Sequence, residues 1–390
     1  MMRMAKSRNY GWSSCARLAL LATLAACGGS DDRHADDGLA LSTVLGARDV
    51  EGYDRALAIP SLAFPRDHGP HDGFRTEWWY WTGNVADDAG RAFGFELVFF
   101  RQALAPAQGG APRDAALASR EIVLAHAAVT NVDRGAFHSE ERLLRRDELR
   151  AGMTVSNDGP IVWCGDWRAE PMASASSPDR FPPMRLTARG DGFSFDLVVE
   201  AQKPLVLQGD RGMSQKSSER GNASIYYSAT RLLANGTIEA DGSVAKVAGT
   251  AWCDREWSTS ALGDGQVGWD WFSLQFEDGC ELTWYQLRRS DGSIDEHSQG
   301  TWIRADGTSE RLLASEMVCE PIGEWTASDG RATYPKQWRL RCDKLTLDVE
   351  VAPRLQDQEL RTRVRYWEGA VAVKGSRSGV GYLEMTGYGK

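Results

Sequence analysis

The residues of this chain best suited to chemistry are carboxylates embedded in tryptophan. Asp254 and Glu256 stand between Trp252 and Trp257. Asp270 stands between Trp269 and Trp271, Glu77 opens the run Trp78-Trp79-Tyr80-Trp81, and Glu368 follows Trp367. An apolar setting raises a carboxyl pKa, so the group keeps its proton and can act as a general acid near neutral pH. The face of an indole stabilises positive charge formed beside it. Residues i and i+2 of a strand share a face. Asp254 and Glu256 therefore point the same way, as an acid–base pair, while Asp270 points away from Trp269 and Trp271. A structural reading stands beside the catalytic one. Acids next to Trp in barrels also pair with Arg, and Arg255 and Arg75 are at hand.

Other polar motifs are less telling. His68 and His71, flanked by Asp67 and Asp72, could ligate a metal. They lie in a Gly/Pro-rich segment with no third His nearby, so loop hydrogen bonding is the expected role and no metal site is assigned. His126 sits in an apolar strand, as a core residue or, if it faces a cavity, as a proton carrier. Residues 209–217 contain Gly and Lys without P-loop spacing. There is no G-x-S-x-G elbow and no dinucleotide fingerprint, so no cofactor is expected.

The elements that must position these groups follow an export signal. Arg3, Lys6, Arg8 and Arg17 precede an apolar run, Leu18 to Ala26, that ends Leu24-Ala25-Ala26-Cys27. The run is too short to span a bilayer as a helix. It has the form of a lipobox, with residues 1–26 as the signal and Cys27 as the lipidated first residue. Residues 27–58 then form a polar tether. Gly28 after the Cys points to the outer membrane, so the expected place is the cell envelope, anchored at its periplasmic face. The chain carries a net charge of −9. Residues 1–26 hold basic but no acidic side chains, so processing makes it more negative, which disfavours nucleic acid as a partner. Export permits disulfides. Cys319/Cys342 and Cys253/Cys280 are candidate cross-strand pairs, Cys164 is left over, and buried free thiols are the alternative.

Alternation and turn signals fill the rest. Residues 77–101 and 268–289 each read as an aromatic hairpin that starts with Trp-x-Trp, at Trp79/Trp81 and Trp269/Trp271. Residues 184–204 echo 338–353, and Ile225 to Ser228 echo Arg365 to Glu368. Three echoes in the same order indicate a duplicated β-domain, divided near Asn235-Gly236 into residues 59–235 and 236–390. Residues 103–120 and 171–183 read as surface loops, and 140–150 as a short helix. Such strand spacing fits a sandwich or an up-and-down barrel, whose interior can hold one small ligand.

Taken together, several segments resemble one family. They are Phe64 to His71, Phe74 to Gly83, Lys203-Pro204, Lys216-Ser217, Tyr226-Tyr227-Ser228, Ala251 to Trp257, Gly268 to Trp271, Tyr366 to Gly369 and Gly381 to Tyr388. From about residue 60 onward the chain is similar to the AttH/carotenoid 1,2-hydratase family, apart from Cys253, where Met is expected. The resemblance implies an all-β fold of two tandem lipocalin-like (calycin-type) barrels. It also implies either of two functions. One is an envelope lipoprotein that binds a hydrophobic, isoprenoid- or lipid-like molecule, with an ABC-type transporter as a partner. The other is a cofactor-free hydro-lyase that adds water to a polyene. Asp254 is then the proton donor, and Glu256 or Glu77 orients water. Trp252, Trp257, Trp269 and Trp271 form the cation-stabilising wall. Tyr226 and Tyr227 donate hydrogen bonds, and Trp79, Trp81 and Trp367 complete a barrel pocket.

Overall fold

The computed structural model describes residues 50–106, 120–260 and 262–389. Cys27 and the signal lie outside them, as does most of the 103–120 loop. Aromatic and β-branched runs broken by Gly-centred turns make strands dominate. The first sheet contains β1 (Thr76–Ala86), β2 (Ala92–Ala103), β3 (Glu121–Asn131), β4 (Ala136–Arg145), β5 (Ala151–Val155), β6 (Pro160–Cys164), β7 (Trp167–Pro171), β8 (Met184–Gly190), β9 (Phe193–Ala201), β10 (Val206–Leu207), β11 (Met213–Gln215), β12 (Ala223–Ala240) and β13 (Ser243–Ser258). The second contains β14 (Gln266–Phe276), β15 (Glu281–Arg289), β16 (Gln299–Ile303), β17 (Ser309–Leu313), β18 (Val318–Thr326), β19 (Thr333–Cys342), β20 (Leu347–Pro353), β21 (Glu359–Leu360), β22 (Tyr366–Gly375) and β23 (Gly379–Thr386).

The first sheet runs β4-β3-β2-β1-β13-β12-β9-β8-β7-β6-β5 and the second β17-β16-β15-β14-β23-β22-β20-β19-β18. Each starts as a four-strand meander whose first strand pairs with the last strand of its own sheet. One topology is thus used twice, and both sheets curl into barrels. The echoes fall on equivalent strands: β8–β9 with β19–β20, and β12 with β22.

The division between the barrels differs from the expectation. Asn235 and Gly236 lie inside β12, paired with Val198 and Leu197 of β9. Gly236 is there for closeness: a Cβ would come within 2.1 Å of the Asp196 carbonyl oxygen. The turn is Asp241-Gly242, both at positive φ, the two-residue geometry that suits a hairpin. The chain enters the second sheet only between Ser258 and Gln266. The helix expected over 140–150 is also absent. Most of that segment is β4, paired along β3, where tertiary pairing overrides helix propensity. The five described cysteines are free thiols. Cys253 packs in the first barrel, while Cys280 lies at the β14–β15 turn of the second.

The barrel interiors are packed cores. Trp79, Trp81, Trp257, Tyr227, Phe95 and Leu97 fill the first, and Phe272, Trp284, Trp338 and Trp367 the second. A third buried cluster lies between the barrels and includes Tyr80, Val98, Trp252, Trp271, Tyr285 and Tyr382. This seam, rather than either interior, gathers the chemical groups.

Candidate functional site in the seam between the barrels

Strand alternation sorts the expected site residues. On β13, Cys253 and Trp257 face the first core, and Trp252 joins the seam on the same side as Asp254 and Glu256. On β1, Trp79 and Trp81 face the core, while Trp78 and Tyr80 face the seam. On β14, Trp269 and Trp271 face the seam. The two Trp-x-Trp starts are therefore out of phase by one residue, and the seam partners of Trp269/Trp271 are Trp78/Tyr80. Of the expected ligand-binding residues, Tyr226, Trp252, Trp269 and Trp271 meet here. Trp79, Trp81, Tyr227, Trp257 and Trp367 do not, because they are core. Trp367 donates its indole N–H to the Gln356 carbonyl at 2.8 Å.

Asp254 is the centre of the site. It lies opposite Tyr80 on β1 and Ser228 on β12. Ser228 Oγ and Trp252 Nε1 donate to Oδ1 at 2.5 and 2.7 Å, and the Tyr226 hydroxyl donates to Oδ2 at 2.7 Å. All three donors are uncharged. Burial disfavours the carboxylate, the three donors favour it, and the charge of Glu256 disfavours it again. The balance leaves Asp254 raised to about 7. Trp271 donates to the Tyr226 oxygen at 3.1 Å. Its ring meets Trp252 edge-on at 6.5 Å and Tyr80 at 5.3 Å. A carboxyl that gives up its proton near neutrality thus stands among aromatic side chains.

Glu256 shares that face and is tied differently. It accepts from Ser224 Oγ and pairs with Lys216 Nζ at 3.0 Å. Lys216 lies 4.2 Å over the Tyr285 ring of the second barrel. Glu384 faces Trp271 across the β14–β23 ladder. Desolvation and the neighbouring Glu256 and Asp254 raise it to about 8.

A second group of carboxyls lies deeper. Tyr80 donates to Glu368 of the second barrel. Glu368 and Glu96 are buried. Desolvation, then the charge of Glu384, pushes Glu96 up to about 8, and burial beside Glu96 raises Glu368 well above the carboxylate range. Sequence reasoning missed Glu96, Glu384, Tyr80, Ser228 and Lys216 as site residues. Glu96 carried a signal, as one acid in the apolar strand Phe93 to Phe100.

Glu77 does not belong to the site. It points to one end of the first barrel, where Arg255 Nη2 lies 2.7 Å and Arg101 Nε 3.1 Å from its oxygens. Burial opposes its charge, but Arg255, His71 and Arg101 outweigh that and hold Glu77 at about 2. It is therefore a fixed anion, unsuited to proton exchange near neutrality. His71 bonds Glu77 at 2.8 Å and stacks on Trp257 at 3.7 Å. His68 Nδ1 lies 2.6 Å from the Tyr227 hydroxyl. These histidines fasten a loop, and no metal-binding cluster occurs among the described residues. Asp270 likewise pairs with Arg288 at 3.1 Å, with the Tyr388 hydroxyl at 2.8 Å.

The profile of the AttH-like family matches residues 55–388. An AttH protein from Nitrosomonas europaea has a similar solved structure, with 31% identity and a TM-score of 0.74, covering 86% of this chain and 99% of that one. Kievitone hydratase from Nectria haematococca is similar at 16% identity and a TM-score of 0.62, covering 86% of this chain and 95% of its own. No curated protein matches the chain in sequence. By the family profile, and by the repeated barrel topology it spans, the chain belongs to the AttH-like family.

Proposed function

We propose that the chain is a cofactor-free hydratase of a hydrophobic alkene bound in the seam, with Asp254 as its acid. One observation carries this reading. Asp254 is a buried carboxyl whose hydrogen-bond donors are all uncharged, raised to about 7, with the Trp252 indole N–H on one oxygen and Trp271 one hydroxyl away through Tyr226. The fold likeness to a hydratase supports this reading at the level of architecture alone and assigns no residue role.

The steps balance as follows. The π pair of the alkene takes the Asp254 proton, forming a C–H bond and leaving a carboxylate. The cation on the adjacent carbon is held by the indole faces. Water attacks that carbon and gives its proton to the Glu256 carboxylate, which stands on the same strand face. Transfer back to Asp254 restores the acid. Asp254→Asn should abolish hydration of a polyene panel, read by mass spectrometry, while polyene quenching of Trp fluorescence persists. Undiminished turnover in that variant overturns the acid assignment.

A second reading is a carrier of the same kind of molecule at the envelope, handing it to an ABC-type transporter. The Leu24-Ala25-Ala26-Cys27 lipobox and the polar tether favour it. A carrier shows stoichiometric ligand after purification and no turnover in either form.

A further inference from the structure

On the side of the seam away from Glu256, a chain of groups runs outward from the buried carboxyls. Neither Glu96 oxygen has a hydrogen-bond partner of good geometry, and the buried Tyr382 hydroxyl has none either. Buried polar groups are nearly always paired, so carboxyl oxygens left open among other acids mark a place where a functional role is to be sought. Tyr366 and Glu368 lie beside the Glu96 carboxyl. The Tyr366 hydroxyl is 2.5 Å from His126 Nδ1. Across the same ring, His126 Nε2 is 3.2 Å from Glu141 Oε2. His126 is 1% exposed, and the Glu141 side chain 10%. Glu141 is held by the exposed Arg363. Burial opposes its charge, but the His126 bond and then Arg363 outweigh it, keeping Glu141 below the usual range. The chain therefore begins at protonated carboxyls, passes one hydroxyl and one imidazole, and ends at a carboxylate near solvent.

We propose that Tyr366, His126 and Glu141 form a proton relay connecting the buried Glu96–Glu368 pair to solvent. In one passage the Glu96 proton moves to the Tyr366 oxygen and the Tyr366 hydrogen moves to His126 Nδ1. The hydrogen on Nε2 then passes to Glu141. Glu96 is left as a carboxylate, His126 in its other tautomer with the hydrogen on Nδ1, and Glu141 as a neutral acid, which releases its proton to water; the relay resets when His126 regains its Nε2 hydrogen and the Tyr366 hydroxyl turns back. No oxidant or cofactor is needed. The relay spans both barrels, since Glu96, His126 and Glu141 belong to the first, and Tyr366 and Glu368 to the second. It rests on the hydratase reading only for its use, which is to keep the carboxyls of the seam in proton equilibrium with solvent in either direction, since hydration itself consumes no net proton.

The test contains no substrate, so it can fail while that reading stands, and the reverse. The infrared C=O band of protonated carboxyls is followed in the full chain after dilution into D2O at neutral pD. A band that Glu96→Gln or Glu368→Gln removes is expected to exchange quickly in the parent. Tyr366→Phe and His126→Phe, checked for native unfolding midpoints, should each slow that exchange roughly tenfold or more. If one of them fails to fold, the other carries the test, with Glu141→Gln as the third break in the chain. Unchanged exchange in the folded variants overturns the relay, and so does the absence of any band assignable to Glu96 or Glu368.

Discussion

Tyr80 of the first barrel donates its hydroxyl hydrogen to Glu368 of the second, while lying opposite Asp254 in the β1–β13 ladder. One tyrosine thus joins the two carboxyl groups of the seam. Neither barrel alone contains the site. Asp254, Trp252 and Tyr226 come from the first, and Trp271, Glu384 and Glu368 from the second.

The titration of Asp254 predicts how both activity and stability depend on pH. Its folded pKa is raised from 3.8 to about 7. The acid needs its proton, so turnover should fall as pH climbs through about 7. For stability, the unfolded carboxyl loses its proton near 3.8 while the folded one keeps it to about 7. Between those values the unfolded chain binds fewer protons, so stability declines with rising pH. A shift of this size is worth on the order of 4 kcal/mol. Asp254→Asn should therefore be more stable relative to the parent at pH 9 than at pH 4, measured by denaturant unfolding. An equal difference at the two pH values would show that the carboxyl titrates normally.

Glu77 has the opposite sign. Its folded pKa is depressed from 4.5 to about 2 by Arg255, His71 and Arg101 against the cost of burial. Its contribution is complete above 4.5 and is lost as pH falls toward 2. Glu77→Gln leaves two buried guanidinium groups short of a counter-charge, which should cost about 3–5 kcal/mol. Ligand quenching in the folded fraction should be unchanged. A folded variant of parental stability that lacks turnover would return Glu77 to the catalytic list.

Much of the fold was legible because alternation and turn residues are local signals. The aromatic hairpins, the three echoes and the shared face of Asp254 and Glu256 all follow from period-two geometry. What was not legible is which side of each strand meets the other barrel. Trp79 and Trp78 look alike in sequence, yet one fills a core and the other lines the seam. Gly236 misled because a glycine needed for close strand approach reads like a glycine in a turn. Glu384 becomes a site residue through the pairing of the distant strands β14 and β23, and Glu96 through its approach to Glu368 and Tyr366 of the other barrel, and no local pattern carries either.

Strand parity makes the seam testable with matched substitutions. Trp271→Phe keeps an aromatic ring, but removes the donor to Tyr226 and the stronger cation-stabilising face. Turnover should fall roughly tenfold, an effect of about 1.4 kcal/mol on the barrier. Trp81→Phe, in the first core, should instead lower the unfolding midpoint and leave the kinetics of the folded protein alone. The reverse pattern would place the ligand inside the barrel.

A buried cation bridges the two barrels. Lys203, between β9 and β10, reaches the second barrel and donates from Nζ to Glu281 Oε2 at 2.8 Å, to the Gly279 carbonyl at 2.5 Å and to the Arg304 carbonyl at 2.8 Å. Arg231 of β12 takes the other Glu281 oxygen. Glu281 is fully buried, so the bonds from Lys203 and Arg231 to its oxygens replace water that the carboxylate has lost. Lys203→Met keeps much of the stem but removes the donor to the Gly279 carbonyl and leaves Glu281 Oε2 only a long bond from the Thr230 hydroxyl at 3.5 Å, which should cost on the order of 3 kcal/mol. Because the loss falls between the barrels, unfolding should also broaden or split, as coupled units separate. Trp fluorescence and far-UV circular dichroism should then give different midpoints. A single coincident transition at the parental midpoint would mean that the aromatic seam alone holds the barrels together, and that the Lys203–Glu281 pair only offsets its own desolvation.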